Sequence, residues 1–533
     1  MKRILSLILI VCLALGVFSV CASAAGEDGL KLIVTSDTHW QVYDRVDSDG
    51  FYRPRHDLGQ MTALTPMIMN EFFIQAGESD ADAILLTGDL TNSCNVADAR
   101  AFAALLADFE DSTGKRVFVI DGNHDLNLND NASESDADQA AFKEIYYRFG
   151  YDEAVATDEK TASYAADLDD EYRLLAIDSN KPDGGGYIGP ELMDWIETQV
   201  KAAKADGKKL IAMMHHHIME HVTLEQTIDG FYIVDNYREV CRKFDRWNIR
   251  LTFTGHMHKG DIASYSGLRT IYDASSTALS CYPLSYRYVR LTDKEIAFES
   301  RKITSLDVSL APDGYSEEQL DMIANDPAAY AYGGLEDSFV KDYLMGRFVN
   351  ADAIIDLLGL DPGSDAAAAV RRFMPDVFIP LYGEGNTVQA QARSLGLDIP
   401  ESDYETVADL LTEFFARFKA GDEDLGGNSL EGRLVLDSLY TLLAYKAAQE
   451  SEAVRTVLSS RVIAVLGLKG IDNIFTRSAL DVILTGLFID KAPADNNVTL
   501  PGYGAGGVTG ALTILWMKLS QTFDLLLKAF AAL

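Results

Sequence analysis

The chain has 533 residues, with 46 Lys and Arg against 81 Asp and Glu and a formal charge of −35 at neutral pH. That anionic surplus repels polyanions and leaves no basic stripe, which excludes a nucleic-acid polymer or an anionic membrane surface as the main partner. Of five cysteines, Cys94, Cys241 and Cys281 are widely spaced in a large chain, which is no disulfide framework.

Lys2-Arg3, an apolar run from Ile4 to Val20 and then Ala22-Ser23-Ala24 fit a secretory signal peptide, residues 1–24, cleaved after Ala24. The mature protein is therefore expected to be secreted or extracytoplasmic. Cys21 follows Phe18-Ser19-Val20 and not the small residues of a lipid-anchor signal. No other apolar run reaches the roughly 18 to 20 residues that span a bilayer, so no transmembrane segment is expected. Cleavage would also remove Cys12 and Cys21, leaving Cys94, Cys241 and Cys281 as one pair with a spare thiol or as three buried thiols.

The first expected strand is Leu30 to Ser36, by its length and β-branched content, and it stops at Asp37-Thr38-His39. A polar loop with Arg53, Arg55, His56 and Asp57 follows, then a helical pattern from Met61 to Gly77. Ala83 to Thr87 reads as a strand running into Gly88-Asp89, Ala97 to Glu110 as a helix, and Lys115 to Ile120 as a strand that delivers Asp121-Gly122-Asn123-His124-Asp125. In that last loop Asn123 offers a neutral carbonyl oxygen and His124 an imidazole that titrates near neutrality, a pairing suited to a bound metal beside a proton donor. The β-α-β-α-β order predicts a largely parallel sheet covered on both faces, with ligands at the carboxyl ends of its strands.

Asn127 to Lys160 reads as an acidic insertion, a solvated loop containing one helix from Gln139 to Phe149. Paired strands are expected at Tyr164 to Leu168 and Arg173 to Asp178, a turn at Gly184-Gly185-Gly186, and an amphipathic helix at Pro190 to Asp206. Two more strands, Leu210 to Met214 and Arg250 to Thr254, end in His215-His216-His217 and in Gly255-His256-Met257-His258. Histidine thus recurs at the carboxyl ends of expected strands. Beyond Ile303 the pattern changes to long helical periodicity, which places a boundary near residue 306 between residues 25–305 and a helical region, 306–533. The last stripe, from Leu512 to Phe530, reads as a core helix.

In order, Asp37-x-His39, Gly88-Asp89, Gly122-Asn123-His124-Asp125, His215 or a neighbour, and Gly255-His256-x-His258 resemble the signature of the calcineurin-like metallophosphoesterases. The resemblance covers about residues 30 to 300. It implies an α/β fold, a four-layer α/β/β/α sandwich, followed here by the mainly α-helical C-terminal domain of no assigned role. It implies two divalent or trivalent metal ions (Mn, Fe or Zn), with Asp37, His39 and His258 on one, Asn123, His215 and His256 on the other, and Asp89 bridging both. It also implies attack on a phosphomonoester or phosphodiester by a metal-bound hydroxide, with His124 as general acid. Purple acid phosphatases carry a tyrosine three residues after the bridging aspartate; Asn92 stands there, so a tyrosinate-coloured iron site is not expected. Protein phosphatases have aspartate at that place, and Asn92 cannot supply its charge to His124.

His215 is the usual ligand position of the triple histidine, with His216 as the alternative, since one residue reverses the side chain's face. His217 and His221 are expected behind the ligands or at the surface, and Arg53, Arg55 and His56 are candidate phosphate contacts. The leading expectation is a secreted metal-dependent phosphoesterase acting on a small phosphoester. The alternatives are a catalytically weak scaffold whose helical region binds a cell-surface or protein partner, and metal sequestration without turnover.

Overall fold

The computed structural model describes residues 29–42, 59–129, 133, 135–223, 225–228, 230–338, 350–373, 378–421, 429–488 and 493–505. The expected signal segment, the loop with Arg53, Arg55 and His56, and the stripe from Leu512 to Phe530 lie outside these residues. The chain divides into two compact units. The described residues of the smaller come from 29–31, 290–297 and 500–505, and those of the larger from 32–289 and 298–499.

Strands β1 (Leu30–Thr35), β2 (Ala83–Leu86) and β3 (Arg116–Val119) are short, apolar and almost wholly buried. They pair in parallel with Thr35 opposite Leu86 and Leu86 opposite Val119, so their carboxyl ends lie level and their loops leave along one edge. The crossovers are helices α1 (Thr65–Glu78) and α2 (Val96–Thr113). Helix α1 starts later than its apolar pattern because Pro66 sits in its first turn, where a missing N–H costs nothing. Helix α2 is capped by Asn95, whose side chain accepts from Ala97 N, and ends at Gly114 in the left-handed region.

The insertion folds as helix α3 (Gln139–Ile145), shorter than expected, because the backbone leaves helical geometry at Phe149 and Gly150 in the following turn. A second sheet then builds from β4 (Ala154–Thr157), β5 (Tyr164–Asp167), β6 (Tyr172–Ile177), β7 (Lys209–Met214), β8 (Leu251–Thr254), β9 (Asp261–Ser266) and β10 (Thr270–Ser275), in the order β4-β5-β6-β7-β8-β10-β9. Strands β6, β7 and β8 run parallel, and Ala212 opposite Thr252 makes the ends of β7 and β8 level as well. Helices α4 (Pro190–Ala205) and α5 (Tyr237–Trp247) cover this sheet through Ile196, Val200, Val240 and Phe244. Each such fully buried side chain contributes about 1.5–3 kcal/mol. Two mixed sheets with helices make the α/β fold that the family resemblance implies, in place of the single largely parallel sheet that the strand order alone predicts.

Beyond Ile303 the described elements are helices, apart from short 3-10 turns and strand Asn497–Pro501. Helices α6 (Val407–Ala420) and α7 (Leu430–Ala447) anchor an apolar core that includes Val388, Phe414, Phe415, Leu434 and Leu442 and takes in Val222 from before residue 306. Thr406 and Asp409 form a capping box at the start of α6. Among the described residues no helix is long and apolar enough to cross a membrane. Cys94, Cys241 and Cys281 are all free thiols, the last two buried.

Candidate metal centre

The level strand ends bring five loops to one place. From β1 come Asp37 and His39, from β2 Asp89, from β3 Asn123 and His124, from β7 His215, and from β8 His256 and His258. Asp37, His39, Asp89, His256 and His258 all have positive φ, between 44° and 67°, and only two other non-glycine residues among those described do. Such backbone costs on the order of 1–3 kcal/mol per residue and persists where its surroundings fix it, so strain is concentrated at this cluster. The glycines of the motifs permit close approach. A side chain at Gly122 would run into the Asp89 carboxylate, and one at Gly255 into Ser36 and Asp37.

The donor atoms face each other. His39 Nε2 lies 3.1 Å from His258 Nε2, and His258 Nε2 lies 3.2 Å from Asp37 Oδ1. On the other side His215 Nε2 is 3.1 Å from His256 Nδ1, 3.1 Å from Asn123 Oδ1 and 3.2 Å from Asp89 Oδ2. Asp89 Oδ2 also lies 3.8 Å from His39 Nε2. Two groups result, Asp37-His39-Asp89-His258 and Asp89-His215-His256, each with its donor atoms within 4.8 Å of one another, and Asp89 belongs to both.

These distances suit cations. Ligands about 2.1 Å from a metal sit about 3 Å apart along a polyhedron edge. Facing imidazole nitrogens, as at His39–His258 and His215–His256, can share at most one proton, so a cation would satisfy lone pairs that the protein alone sets against each other. The mix of imidazole, carboxylate and amide oxygen fits Zn, Fe or Mn. Neighbours fix the orientation of several donors. His215 Nδ1 donates to Thr87 O at 3.0 Å, His258 Nδ1 lies 3.8 Å from Cys281 Sγ, and Asp37 Oδ2 accepts from His256 N at 3.0 Å.

The electrostatics follow from burial and proximity. Burial opposes charge on His215 and His258, but Asp89 outweighs it at the first and Asp37 at the second, raising their pKa values to about 9 and about 10. Burial, with His124 beside it, lowers His39 to about 3, and burial with His216 and His215 pushes His256 well below its ordinary value. Against burial, His258 holds Asp37 down at about 2. A cation would compete for the same lone pairs as the protons on His215 and His258.

His124 stands at the edge, its ring 4.8 Å from that of His39. Its Nδ1 donates to the backbone carbonyl of Asn92 at 3.1 Å, which leaves Nε2 as the exchangeable nitrogen. The Asn92 side chain bonds Gln60 and Gln41 instead. Asp125, unassigned in the sequence pattern, ties two loops together, with Oδ2 accepting from Leu90 N at 3.0 Å and Gly122 N at 2.9 Å. Its own oxygens are thereby committed to backbone, and burial together with Asp89 pushes it up to about 6.

The triple histidine divides cleanly. His215 joins the cluster, whereas His216 Nδ1 bonds Ser179 at 2.9 Å and its Nε2 bonds Gly184 O at 3.1 Å. His217 and His221 are fully buried, not at the surface, because Glu225 and Asp261 meet their rings. Glu225 follows within eight residues of both, whereas Asp261 is 40 positions from His221.

Residues 30–260 match the family model described as calcineurin-like phosphoesterase. Among curated proteins the chain resembles a probable cyclic nucleotide phosphodiesterase of Rhodococcus erythropolis, 26% identical over 260 residues that cover 47% of this chain and 71% of that one. Another probable cyclic nucleotide phosphodiesterase, from a Synechococcus strain, is 29% identical over 125 residues, 21% of this chain and 43% of the relative. Among solved structures, a dimetal phosphatase from Danio rerio aligns with a TM-score of 0.40 at 9% identity, over 52% of this chain and 97% of that one. A purple acid phosphatase from yellow lupin aligns with a TM-score of 0.37 at 10% identity, over 54% of this chain and 53% of that one.

Proposed function

We propose, for a chain that belongs to the calcineurin-like metallophosphoesterase superfamily through residues 30–260, that the cluster is the dinuclear active site of an exported phosphoesterase. The observation that carries this reading is Asp89, the carboxylate common to both donor groups. Two cations a few ångströms apart need a shared anionic oxygen to offset their repulsion.

In this reading Asp37, His39 and His258 hold one ion, Asn123, His215 and His256 the other, and Asp89 both. Bound ions would supply a nucleophile at neutral pH and offset charge on the phosphoryl oxygens. The chain's own residues do the rest. Thr87 and Cys281 aim the His215 and His258 rings, and Asp125 holds the Asp89 and Asn123 loops in register. His124, with Nδ1 held by Asn92 O, would deliver a proton from Nε2 to the leaving oxygen.

Cyclic-nucleotide-like diesters are the finer reading. Phe231 is 46% exposed with its ring 5.0 Å from that of His256, and Tyr232 lies 5.2 Å away. A base could stack there beside the reacting phosphate. A cleft of about 230 Å³ lined by Asn123, Asn180, Lys181 and Gly184 adjoins the site.

The test is a panel of phosphate esters, including nitrophenyl mono- and diesters and cyclic nucleotides, assayed with added manganese, zinc or iron. Turnover of at least one ester that chelation abolishes supports the proposal. Bound metal without turnover of any ester would favour sequestration.

A further inference from the structure

Helix α6 ends against the loop that carries His256 and His258. Lys419, 4% exposed, donates from Nζ to the Met257 carbonyl at 2.5 Å. Its own carbonyl accepts from Gly260 N at 3.0 Å, so one residue of the helical region grips the loop on both sides of His258. The Met257 side chain packs against the apolar core of that region, the core to which Phe414, Phe415 and Phe418 belong.

The contact is reinforced from the chain's far end. Asn496 Nδ2 donates to Ala420 O at 3.0 Å, Asp495 Oδ1 accepts from Ile262 N at 2.7 Å, and Arg287 donates to Asp495 O at 2.5 Å. Lys259, next to His258, lies 4.0 Å over the Phe418 ring.

This grip falls where the backbone needs it. Met257 sits between two left-handed residues, His256 at φ 67° and His258 at φ 56°. Rotation of either peptide toward the ordinary regions would relieve strain and turn an imidazole away from Asp37 or His215. A buried ammonium on the intervening carbonyl opposes that rotation, since breaking the bond would leave both groups without each other in the interior.

We propose that Lys419 is a positioning residue for the metal centre, and that the helical region acts as a brace on the Gly255-His256-Met257-His258 loop. Metal affinity is then set in part by a side chain 162 positions away in sequence. The inference rests on the metal reading of the cluster, and its test reads metal binding and not turnover alone.

The experiment uses the full chain, stripped with chelator and titrated with manganese or zinc by calorimetry, for wild type, Lys419→Met and Lys419→Arg. The thermal midpoint of each is also taken in chelator. The methionine variant should bind metal about 10- to 100-fold more weakly, as for other groups that orient ligands, and arginine should restore much of the loss. Affinity within twofold of wild type in a folded Lys419→Met protein would overturn the proposal, as would a lowered midpoint with unchanged affinity. If Lys419→Met does not fold, Asn496→Ala, which removes one outer contact of the brace, should show a smaller weakening of the same sign; unchanged affinity there overturns it too. Wild-type protein that takes up no metal refutes the proposed function and this inference with it.

Discussion

At the strand ends, imidazoles and carboxylates face one another around a common centre; a few residues further along the chain, His217 and His221 are just as buried but each faces a partner of its own. His217 Nδ1 lies 3.1 Å from Glu225 and its Nε2 3.0 Å from Ser275. His221 Nδ1 lies 2.8 Å from Asp261, which also pairs with Lys259, and its Nε2 is 3.5 Å from Asp273. Asp273 in turn accepts from Thr254 and from Ile218 N. Residue type is nearly the same in the two clusters. The way nitrogens are placed separates them: the second sets imidazoles against carboxylates and a hydroxyl, whereas the first also sets nitrogen against nitrogen, at His39–His258 and at His215–His256. A cluster of that first kind is one that a metal ion could complete.

The comparison breaks most readily at Asp89. Asp89→Ala should lower metal content more than any other single change and reduce turnover by more than about 10²-fold, because orienting groups alone account for 10 to 100 in affinity. Wild-type metal content by elemental analysis would refute the shared role. His124→Ala should retain its metal yet lose on the order of 10² to 10⁴ in turnover of alkyl esters. Nitrophenyl esters, with good leaving groups, should suffer much less, and equal penalties would remove His124 from the proton-donor role.

The self-satisfied cluster should respond in the opposite way. His221→Gln should leave metal affinity unchanged and cost about 3–5 kcal/mol of stability by unpairing buried charge. Burial opposes charge on His221, but Asp261 and Asp273 outweigh it and raise its pKa to about 10. Its stabilisation is therefore full below its unfolded pKa of about 6.5 and is lost as pH rises through about 10. The gap in thermal midpoint between wild type and variant should shrink from pH 6 to pH 10, and a gap that widens would contradict the pairing. The smallest effect is expected at Asn92→Ala, which keeps the carbonyl that holds His124 Nδ1 and should change turnover only a few-fold. Collapse of activity would mean that the side chain polarises the ring.

Much of the site was legible because it lies on strand ends. Apolar runs stop at Asp37, Asp89 and Asn123 on one sheet and at His215 and His256 on the other; register levels the strand ends within each sheet, whereas the grouping of all five loops as one ligand set was implied by the family resemblance and not by the periodicity. The exact service of Asn92 was not legible, since a backbone carbonyl leaves no trace in residue type. Nor were the burial of His217 and His221 or the grip of Lys419. Apart from Glu225 their partners are remote in sequence, and nothing in local periodicity announces a buried ion pair or a lysine at the end of an amphipathic helix.

The most direct measurement is metal content and turnover in one preparation of the full chain, before chelation, after it, and after metal is restored. About two ions per chain and an esterase activity that disappears and returns with them are the expected result. Undiminished activity in metal-free protein would contradict the account.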